Sequence, residues 1–433
     1  MTIQEIAILI ESIEKEFAEC VRCGMCQSVC PLYNQTRLET DVARGKLAII
    51  EGLRKQLFDN PAISANYMQR CLLCGSCAEN CPAGVNTNEI FIKVKAVLNG
   101  CRQLPAWKKI LLRKILAKPK VFNLLLSAAE KFQKIIIKNI KESPEIFKVR
   151  AGIPFFKKRS FKKLAPQPFS KIVPYLNTGK KNNGLKAAFF TGCIIDRFFP
   201  NVALSVIEVL KYHNIGIYIP KNQGCCGIPA AAAGDAEAFK KLLRYNINIF
   251  AKENFDYLIT ACATCTSTIK KVWKILSPDD LKEAVEDISV KTIDIHQFLT
   301  EKVKVDIKPV KTKKNLPKII YHDPCHLKKS FGIYKEPRKL IKANSDYSFT
   351  EMESPDSCCG MGGSFNLSFY DISSDIGKIK RDNIVASGAS VAATACPACM
   401  LQLIDMFSKN KDNIKVKHSI EIYAEALKNG AVE

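Results

Sequence analysis

The stretch CVRCGMCQSVCP, residues 20–31, sets four cysteines at intervals of three, three and four residues and ends in proline. The same spacing returns in CLLCGSCAENCP, residues 71–82. Three close thiolates on a tight loop are placed to hold three corners of one metal cluster, whereas a fourth cysteine beyond a turn points elsewhere. We therefore expect the two stretches to organise the N-terminal part of the chain together.

This spacing is the bacterial two-cluster ferredoxin pattern, in which the fourth cysteine of each stretch ligates the other [4Fe–4S] cluster. The predicted ligands of the first cubane are Cys20, Cys23, Cys26 and Cys81, and those of the second are Cys71, Cys74, Cys77 and Cys30. The alternatives are zinc knuckles and disulfides. Zinc knuckles do not need three equally spaced thiolates before Cys-Pro, and disulfides suit small secreted chains. The full spacing, present twice, favours clusters.

Length and composition indicate a large intracellular protein. The 433 residues are enough for two to four domains, and 19 cysteines suit a reducing compartment. The N-terminal MTIQE lacks the basic region of a secretory signal, and no stretch reaches the roughly 18 apolar residues of a membrane span. We expect a cytoplasmic location, with peripheral attachment to the inner face of the cell membrane as the second possibility.

Positive charge is concentrated in one segment. Residues 101–181 hold 21 Lys or Arg against three Glu, and so contribute +18 to the net charge of +23. Residues 106–118 form a basic amphipathic pattern headed by Trp107, typical of a helix that lies on lipid, packs on its own protein or docks on an acidic partner. No nucleic-acid partner is expected, because no recognition motif accompanies the charge. Residues 101–181 are thus predicted to be a docking surface for a membrane or an acidic partner.

Several local features bear on the clusters. An amphipathic helix is predicted over 3–19, and another begins near Arg44. Arg44 and Lys46 either offset the negative charge of a thiolate-bound cluster or belong to a solvated helix face. Cys101 has no neighbour at ligand spacing and is expected to be a buried or idle thiol. Residues 150–183, rich in Pro, Lys and Gly, predict an irregular linker.

The second half of the chain repeats itself. Buried strands that lead towards cysteines are predicted at residues 187–191, 217–219, 257–260, 319–321 and 391–394. The equivalent cysteines are the pairs Cys193–Cys325, Cys225–Cys358 and Cys262–Cys396, and the interval within a pair grows by only one residue from each pair to the next. A repeat this regular indicates a duplicated domain. Strands that alternate with helices predict a mainly parallel sheet in each copy, with the cysteines in loops past the strand ends.

The pattern Cys…Cys-Cys-Gly…Cys-x-x-Cys, present twice, resembles the cysteine-rich CCG domain of heterodisulfide-reductase-type proteins. With the two ferredoxin stretches, the layout is similar to glycolate oxidase iron–sulfur subunits and to the D-type subunit of heterodisulfide reductase. Iron–sulfur subunits of lactate utilisation and of anaerobic glycerol-3-phosphate dehydrogenase share it. The resemblance is strong at residues 20–54 and weak at 101–185.

The resemblance implies an α+β multidomain fold, with a helical two-[4Fe–4S] ferredoxin-like domain before two duplicated α/β CCG domains. The predicted limits are 1–100 for the ferredoxin-like domain, 101–184 for the basic helical segment and linker, 185–305 for the first CCG domain and 316–433 for the second. Within the CCG domains, the family holds an unusual non-cubane [4Fe–4S] cluster on five cysteines of a complete motif. The chain keeps all ten such cysteines, although glycolate-oxidase-type chains often lose some.

Carried over, the metal ligands form two groups. The first cysteine set is Cys193, Cys225, Cys226, Cys262 and Cys265, and the second cysteine set is Cys325, Cys358, Cys359, Cys396 and Cys399. The expected cofactors are therefore two ferredoxin-type [4Fe–4S] clusters and one or two further [4Fe–4S] clusters, cubane or non-cubane. A plain cubane or zinc in each copy, or a mainly structural second copy, remains the alternative.

The resemblance implies an iron–sulfur electron-transfer subunit of a flavoprotein-linked oxidoreductase. It would take electrons from a flavin-containing dehydrogenase that oxidises a 2-hydroxy acid such as glycolate or lactate, and pass them to a quinone or another carrier. The alternative function is a heterodisulfide-reductase-type catalytic subunit that cleaves a disulfide at non-cubane clusters, which the ten intact cysteines favour. A zinc-bearing assembly module is a third hypothesis. No flavin or dinucleotide-binding pattern and no catalytic residue is recognised, so a subunit is predicted rather than a complete enzyme.

Overall fold

The computed structural model describes residues 2–101, 104–140, 143–149, 159–180, 184–307 and 315–429. Within them the chain is rich in helices and contains three separate sheets. A helical N-terminal domain precedes two α/β copies, which confirms the predicted fold class. The exact domain limits stay predictions.

The N-terminal domain is made of helices only. The helix predicted over 3–19 is two helices, because the chain turns at Ser12 and Ile13. Its predicted apolar face is nevertheless found, since Ile6, Ile10 and Phe17 are buried in the core. The helices are Ile3–Glu11, Glu14–Ala18, Met25–Ser28, Pro31–Thr36, Ala43–Arg54, Pro61–Gln69, Ser76–Glu79 and Thr87–Leu98, with a 3₁₀ turn at Glu39–Asp41.

The basic segment begins with helices and continues into a small sheet that the sequence analysis did not predict. The helical parts are Ala106–Lys109, a π-helical stretch Ile110–Leu116, Pro119–Ile136 and Phe169–Ile172. The antiparallel strands are β1 (Ile137–Ile140), β2 (Ser143–Val149) and β3 (Phe161–Lys162), in the order β1-β2-β3. The predicted irregular linker therefore contains short regular elements, while residues 150–158 and 181–183 of that prediction lie outside the described residues.

The first copy is built on a five-stranded sheet. Its strands are β4 (Leu176–Asn177), β5 (Lys186–Phe190), β6 (Gly216–Ile219), β7 (Tyr257–Thr260) and β8 (Thr292–Asp294). Their order is β4-β6-β5-β7-β8, and every neighbouring pair is parallel except β4 and β6. Its helices are Cys193–Phe198, Pro200–Tyr212, Ile228–Ala233, Ala236–Phe250, Ala263–Ser267, Trp273–Leu276, Lys282–Lys291 and Ile295–Gln297, with π-helical stretches Thr268–Val272 and Phe298–Val303 and a 3₁₀ turn Asp279–Leu281.

The second copy has a four-stranded, wholly parallel sheet in the order β10-β9-β11-β12. Its strands are β9 (Lys318–His322), β10 (Ser348–Phe349), β11 (Val391–Thr394) and β12 (Lys415–His418). Its helices are Cys325–Phe331, Lys335–Lys342, Ser364–Ser368, Tyr370–Ala386, Pro397–Asn410 and Ser419–Lys428. Strands β5 and β9 are separated along the chain by the same interval as Cys193 and Cys325, and strands β7 and β11 by the same interval as Cys262 and Cys396.

The two copies meet at the carboxyl ends of their central strands. The amide of Ala263 donates to the carbonyl of Ala395 at 3.1 Å, directly after β7 and β11. Nearby, Nε2 of His418 lies 2.9 Å from the carbonyl oxygen of Ala261. Helix Pro200–Tyr212 also packs on helix Ser419–Lys428. This joint brings the cysteine loops of both copies to one place.

The N-terminal domain packs on the first copy through helix Thr87–Leu98, which contacts helix Ile228–Ala233, so that both share one hydrophobic core. None of the helices in the described part of the chain has the length and apolar character required to cross a bilayer.

Candidate functional site: four cysteine groups around three cavities

The two ferredoxin stretches fold into the same loop. Arg22 and Leu73 occupy equivalent positions and have left-handed backbones, with φ of 55° and 54°. Gly24 and Gly75 follow with φ of 87° and 79°, where a glycine is favoured because it has no side chain to clash. Each loop then enters a one-turn helix. These matching turns direct three sulfurs of each stretch towards one point.

Each predicted ferredoxin ligand set lines a small cavity of about 30 Å³. The first ferredoxin cavity is lined by Cys20, Cys23, Cys26 and Cys81, and the second by Cys30, Cys71, Cys74 and Cys77. The structure therefore brings together both sets, including the exchange of the fourth cysteines between the stretches. Cys77 also lines the first cavity, so the two sites are direct neighbours.

The chemistry of these cavities suits an iron–sulfur cluster. Burial raises the pKa of Cys30 to about 12, and burial also raises the pKa of Cys26 and Cys77. Four crowded sulfurs of this kind become thiolates readily only when a metal supplies positive charge. Backbone N–H groups of Tyr33 and Leu73 point at Cys30 and Cys71 Sγ, each at 3.4 Å. Sulfur ligands with amide donors around them fit [4Fe–4S] ligation.

The two cations singled out in the sequence lie against these cavities. Lys46 is fully buried, lines the second ferredoxin cavity and donates to the carbonyl of Thr40 at 2.6 Å. Its burial lowers the pKa of its ammonium, an effect that Cys71, Asp41 and Cys30 oppose. Arg44 lines the first ferredoxin cavity and pairs with Glu39 at 2.7 Å. Lys46 is therefore not on a solvated helix face, whereas Arg44 is partly exposed.

All ten cysteines of the two CCG copies line one larger cavity, which we call the shared cavity. Its volume is about 130 Å³, and most of its surface is apolar. The first and second cysteine sets both belong to its wall. Leu72, Leu73 and Cys74 of the second ferredoxin stretch complete the wall. The shared cavity thus adjoins three of the four predicted cluster sites.

Within each set the sulfurs are in contact. Cys193 Sγ lies 3.5 Å from Cys225 Sγ, and Cys359 Sγ lies 3.2 Å from Cys399 Sγ. The pKa of Cys226 is well below its usual value because the Cys225 and Cys265 thiols donate hydrogen bonds to it. The pKa of Cys359, its counterpart, is lowered in the same way by Cys358 and Cys399, and also by the neighbouring His322. In each adjacent Cys-Cys pair, the second sulfur is the one whose pKa is lowered, which favours the thiolate form that binds metal.

The two sets also touch each other. Interaction with Cys262 of the first set, followed by Cys399, lowers the pKa of Cys396 in the second. Thr264 Oγ1 lies 3.5 Å from Cys396 Sγ and 3.2 Å from Nδ1 of His326. A continuous series of sulfurs therefore crosses the joint between the copies.

Hydrogen bonds and sulfur contacts join the second copy to the second ferredoxin stretch. Nε2 of His326 lies 3.1 Å from the carbonyl oxygen of Leu73, and Lys329 Nζ donates to Ser76 Oγ at 2.5 Å. Cys74 and Cys325 are close enough that each thiolate would repel the other, which, after burial, raises the pKa of Cys325. The second cysteine set lies next to the second ferredoxin cavity.

Several of these contacts involve residues to which the sequence analysis gave no role, namely Thr264, His326, Lys329 and His322. The motif HDPCH around Cys325 was the available signal, because it carries two of the chain's five histidines. Cys101 is half-buried and lines none of the three cavities, in keeping with an idle thiol.

Family comparisons agree with this arrangement. Residues 16–85 match the 4Fe-4S dicluster domain, and residues 187–270 and 319–404 each match the cysteine-rich domain named CCG. This confirms the predicted cofactor class. The individual ligand assignments, as distinct from the positions of the sulfurs, stay predictions.

Three relatives illustrate the range of similar proteins. An uncharacterized iron-sulfur protein of Methanococcus maripaludis is 35% identical over 56% of this chain, a match that spans 46% of that protein. The probable glycolate oxidase iron-sulfur subunit of Bacillus subtilis is 25% identical over 90% of this chain and 89% of its own length.

The dihydromethanophenazine:CoB–CoM heterodisulfide reductase of Methanosarcina barkeri has a D-type subunit that is 25% identical over 95% of this chain and 94% of its own length. Both of the proteins with assigned roles are named as subunits of oxidoreductases. The chain is therefore an iron–sulfur protein of the group that joins a 4Fe-4S dicluster domain to two cysteine-rich CCG domains, as its sequence predicts.

Proposed function

We propose that this chain is the iron–sulfur subunit of an oxidoreductase in which both cysteine sets act on one disulfide substrate. The observation that carries the proposal is the shared cavity, which all ten CCG cysteines line. A pure electron relay requires only that neighbouring sites be close. A single apolar cavity between two cysteine sets is what cleavage of one substrate by two sites requires.

The cysteine groups form a series from the surface to this cavity. Cys23 is exposed at the first ferredoxin cavity, Cys77 lines both ferredoxin cavities, and Cys74 lines the second ferredoxin cavity and the shared cavity. Iron–sulfur clusters held at such sites accept and release single electrons. The chain's own contribution is to bury the inner sites, to keep them adjacent and to leave the outer one accessible.

The reaction would consume two electrons and two protons. In the disulfide RS–SR′, the S–S bond breaks, each sulfur gains one electron and each takes one proton, which gives RSH and R′SH. The electrons come from a partner protein, for which a flavin-containing dehydrogenase subunit is the proposed class. Exposed Val21 and Met25 beside Cys23 offer an apolar contact for that partner. The protons come from solvent at the mouth of the cavity.

The test is disulfide cleavage by the isolated chain, prepared anaerobically and supplied with a reduced dye as electron donor. We expect steady turnover of small disulfides, with two thiols formed per disulfide. Cys101→Ser is the matched control, because Cys101 lines none of the cysteine cavities. Unchanged turnover in this variant excludes exchange at a stray thiol. An iron-loaded protein that reduces no disulfide would contradict the proposal.

A second candidate function is the relay implied by the glycolate-oxidase resemblance. In it, a flavoprotein that oxidises a 2-hydroxy acid donates electrons, which leave to a quinone or another carrier. The exposed first ferredoxin site can accept electrons from the donor protein of either candidate function. An apolar cavity also suits a quinone ring. Glycolate- or lactate-driven dye reduction by the copurified complex, without disulfide turnover, would favour the relay.

We further propose that the basic segment attaches the protein peripherally to a membrane surface. The helices of residues 106–136 leave Trp107, Ile110, Leu124 and Phe132 between 53% and 70% exposed. Apolar side chains exposed among lysines are typical of a helix that lies in the lipid interface.

The test is binding to vesicles that contain anionic lipid. Lys114, Lys118 and Lys120 are exposed on these helices, and changing all three to Glu should abolish binding. Binding of the unchanged protein should weaken between 0.1 M and 1 M salt, because the Debye length falls from about 10 Å to about 3 Å. The matched control changes Lys240, Lys252 and Lys302, which are exposed elsewhere, to Glu. Equal loss in both triple variants would mean that net charge alone, and not this surface, governs binding.

A further inference from the structure

The two CCG copies differ at the last residue of the equivalent strands β5 and β9. Strand β5 ends at Phe190, and strand β9 ends at His322 in the matching position of the second copy. Both side chains are buried, with exposures of 0% and 1%. An imidazole thus occupies the second copy where the first has a benzene ring. A buried polar ring needs partners for both of its nitrogens.

One nitrogen of His322 has a clear partner. Nδ1 lies 3.2 Å from the carbonyl oxygen of Pro355, which also accepts from the amide of Asp323 at 3.0 Å and from Lys380 Nζ at 3.2 Å. A carbonyl oxygen can only accept, so Nδ1 carries the proton and donates it. A histidine binds metal as the neutral ring, and with Nδ1 donating to Pro355 the lone pair of that ring is on Nε2.

Nε2 is buried, forms no hydrogen bond of ordinary geometry among the described residues, and lies beside the Cys359 sulfur, whose pKa His322 helps to lower. His322 offers a ring nitrogen within 4.8 Å of Cys359 Sγ and Cys399 Sγ, and those two sulfurs also lie within that distance of each other. Nδ1 is committed to Pro355, so the free nitrogen is Nε2. One metal ion could contact all three atoms, because bonds of about 2.0 Å to nitrogen and 2.3 Å to sulfur span such separations after small adjustments.

We propose that Nε2 of His322 is a nitrogen ligand of the iron centre at the second cysteine set, so that this centre has mixed nitrogen and sulfur ligation. The hydrogen bond from Nδ1 to a backbone carbonyl is the usual partner of a metal-bound histidine, because it fixes the tautomer and the ring orientation. The inference rests on iron at the second cysteine set and does not depend on which substrate is reduced. The first cysteine set, with Phe190 at the equivalent position, has sulfur ligation only.

The ligand difference has a functional consequence. In the proposed centre His322 takes the place of one thiolate of the second set, and a neutral imidazole in that place raises the reduction potential because the ligand carries less negative charge. The second cysteine set adjoins Cys74, through which electrons would arrive. Nitrogen ligation there would make the second set the better acceptor of the two copies, and would favour electron entry at that end of the shared cavity.

The test is pulsed electron paramagnetic resonance on the full-length protein, carried out with natural and with ¹⁵N-histidine labelling. We expect a histidine nitrogen coupling on an iron signal that disappears in Cys358→Ser. The coupling should be lost in His322→Phe, which reproduces the residue of the first copy, and in His322→Gln. Both variants should keep about eight iron atoms from the ferredoxin pair, which checks that they fold.

His326→Gln is the matched control, because both ring nitrogens of His326 already have partners, Thr264 Oγ1 and the Leu73 carbonyl. In this variant, the histidine nitrogen coupling on the iron signal should be unchanged. A second-set iron signal without any histidine nitrogen, or one whose coupling survives both His322 changes, overturns the ligand assignment. The absence of any iron signal that depends on Cys358 overturns the iron occupancy instead, so the two failures are distinct.

Discussion

The first and second cysteine sets occupy equivalent loops of duplicated domains, yet their surroundings differ. Both follow the carboxyl ends of parallel strands, and both place five sulfurs on the shared cavity. The second copy is hydrogen-bonded to the second ferredoxin stretch, through His326 and Lys329. In the second copy, His322 occupies the strand position that Phe190 occupies in the first copy. The two copies therefore share the positions of their sulfurs but differ in the residues around them.

Under the proposed function, this difference would give the sites an order. Electrons that arrive by way of Cys74 would reach the second set before the first, because Cys74 lies near Cys325. The first set would receive them across the contact between Cys262 and Cys396. Two copies with the same sulfurs would then have unequal tasks, with the second set next to the ferredoxin sites and the first set beyond it. Single substitutions can interrupt that order at different steps.

The largest effect is expected at Cys74. Changing Cys74 to Ser removes a predicted ligand that also lies in the wall of the shared cavity. Loss of a hydrogen-bond partner around a metal site costs up to about 100-fold in activity. Dye-driven disulfide turnover in Cys74→Ser should fall by more than this, because electrons no longer reach either cysteine set. Freeze-quench spectroscopy during turnover measures how fast each iron site is reduced in the variant.

Cys101→Ser serves as the control for Cys74→Ser and should behave as the unchanged protein. If the cysteine sets of Cys74→Ser are still reduced at the normal rate, electrons reach them by a route that avoids the second ferredoxin cavity. The order of sites would then be wrong.

An intermediate effect is expected at Thr264, the hydroxyl between the two sets. Thr264→Val keeps the shape and removes the contacts to Cys396 and His326, so reduction of the first set should slow by about 10-fold while that of the second set is unchanged. Rapid mixing with reduced dye separates the two rates. Thr300→Val is the control, since the Thr300 hydroxyl donates to carbonyls of its own helical segment. Equal slowing of both sets would show general damage and not a step between them.

The sequence was sufficient for features that repeat locally. The nearly constant interval between equivalent cysteines located both copies, and β7 and β11 lie where alternating patterns predict them. The ferredoxin sulfurs also group as the spacing rule predicts, because one loop conformation recurs at Arg22 and Leu73. Spacing rules therefore suffice for features that depend only on residues close together in the chain.

Contacts between domains could not be read in this way. The shared cavity depends on how helix Ser419–Lys428 packs on helix Pro200–Tyr212, and no spacing encodes that packing. His322 belongs to a motif that was visible, but its free nitrogen appears only once Pro355 and Cys359 are near. The break at Ser12 and the strands β1 to β3 were missed because amphipathic periodicity and Pro-Lys content do not determine turns. The assignment of ligands to metal stays a prediction.

The smallest effect concerns the joint between the copies and depends on pH. Nε2 of His213 lies 3.0 Å from the Tyr423 hydroxyl across this joint, and burial lowers the pKa of His213 to about 4. The unfolded chain, with an ordinary histidine pKa near 6.5, then binds more protons between these values, so stability falls as pH drops from about 6.5 to about 4.

From pH 7 to pH 5 this histidine should remove about 1 kcal/mol of the free energy of unfolding, after allowance for its partial exposure. His213→Phe should show a smaller loss over the same range. Anaerobic denaturant titrations at the two pH values measure it. If the variant loses the same free energy of unfolding between pH 7 and pH 5, His213 is not the cause of this pH dependence.

The most direct test of the central claim compares Cys226→Ser with Cys359→Ser, equivalent cysteines of the two sets that line the shared cavity. If both sets act on one substrate, each change alone should lower dye-driven disulfide turnover by more than about 100-fold, and to a similar extent, because neither set cleaves the bond without the other. Reduction of the second set should stay fast in Cys226→Ser, which confirms that supply is intact. Substantial disulfide turnover in either variant, or losses that are clearly unequal, would contradict the account and favour a relay in which the two sets serve in series.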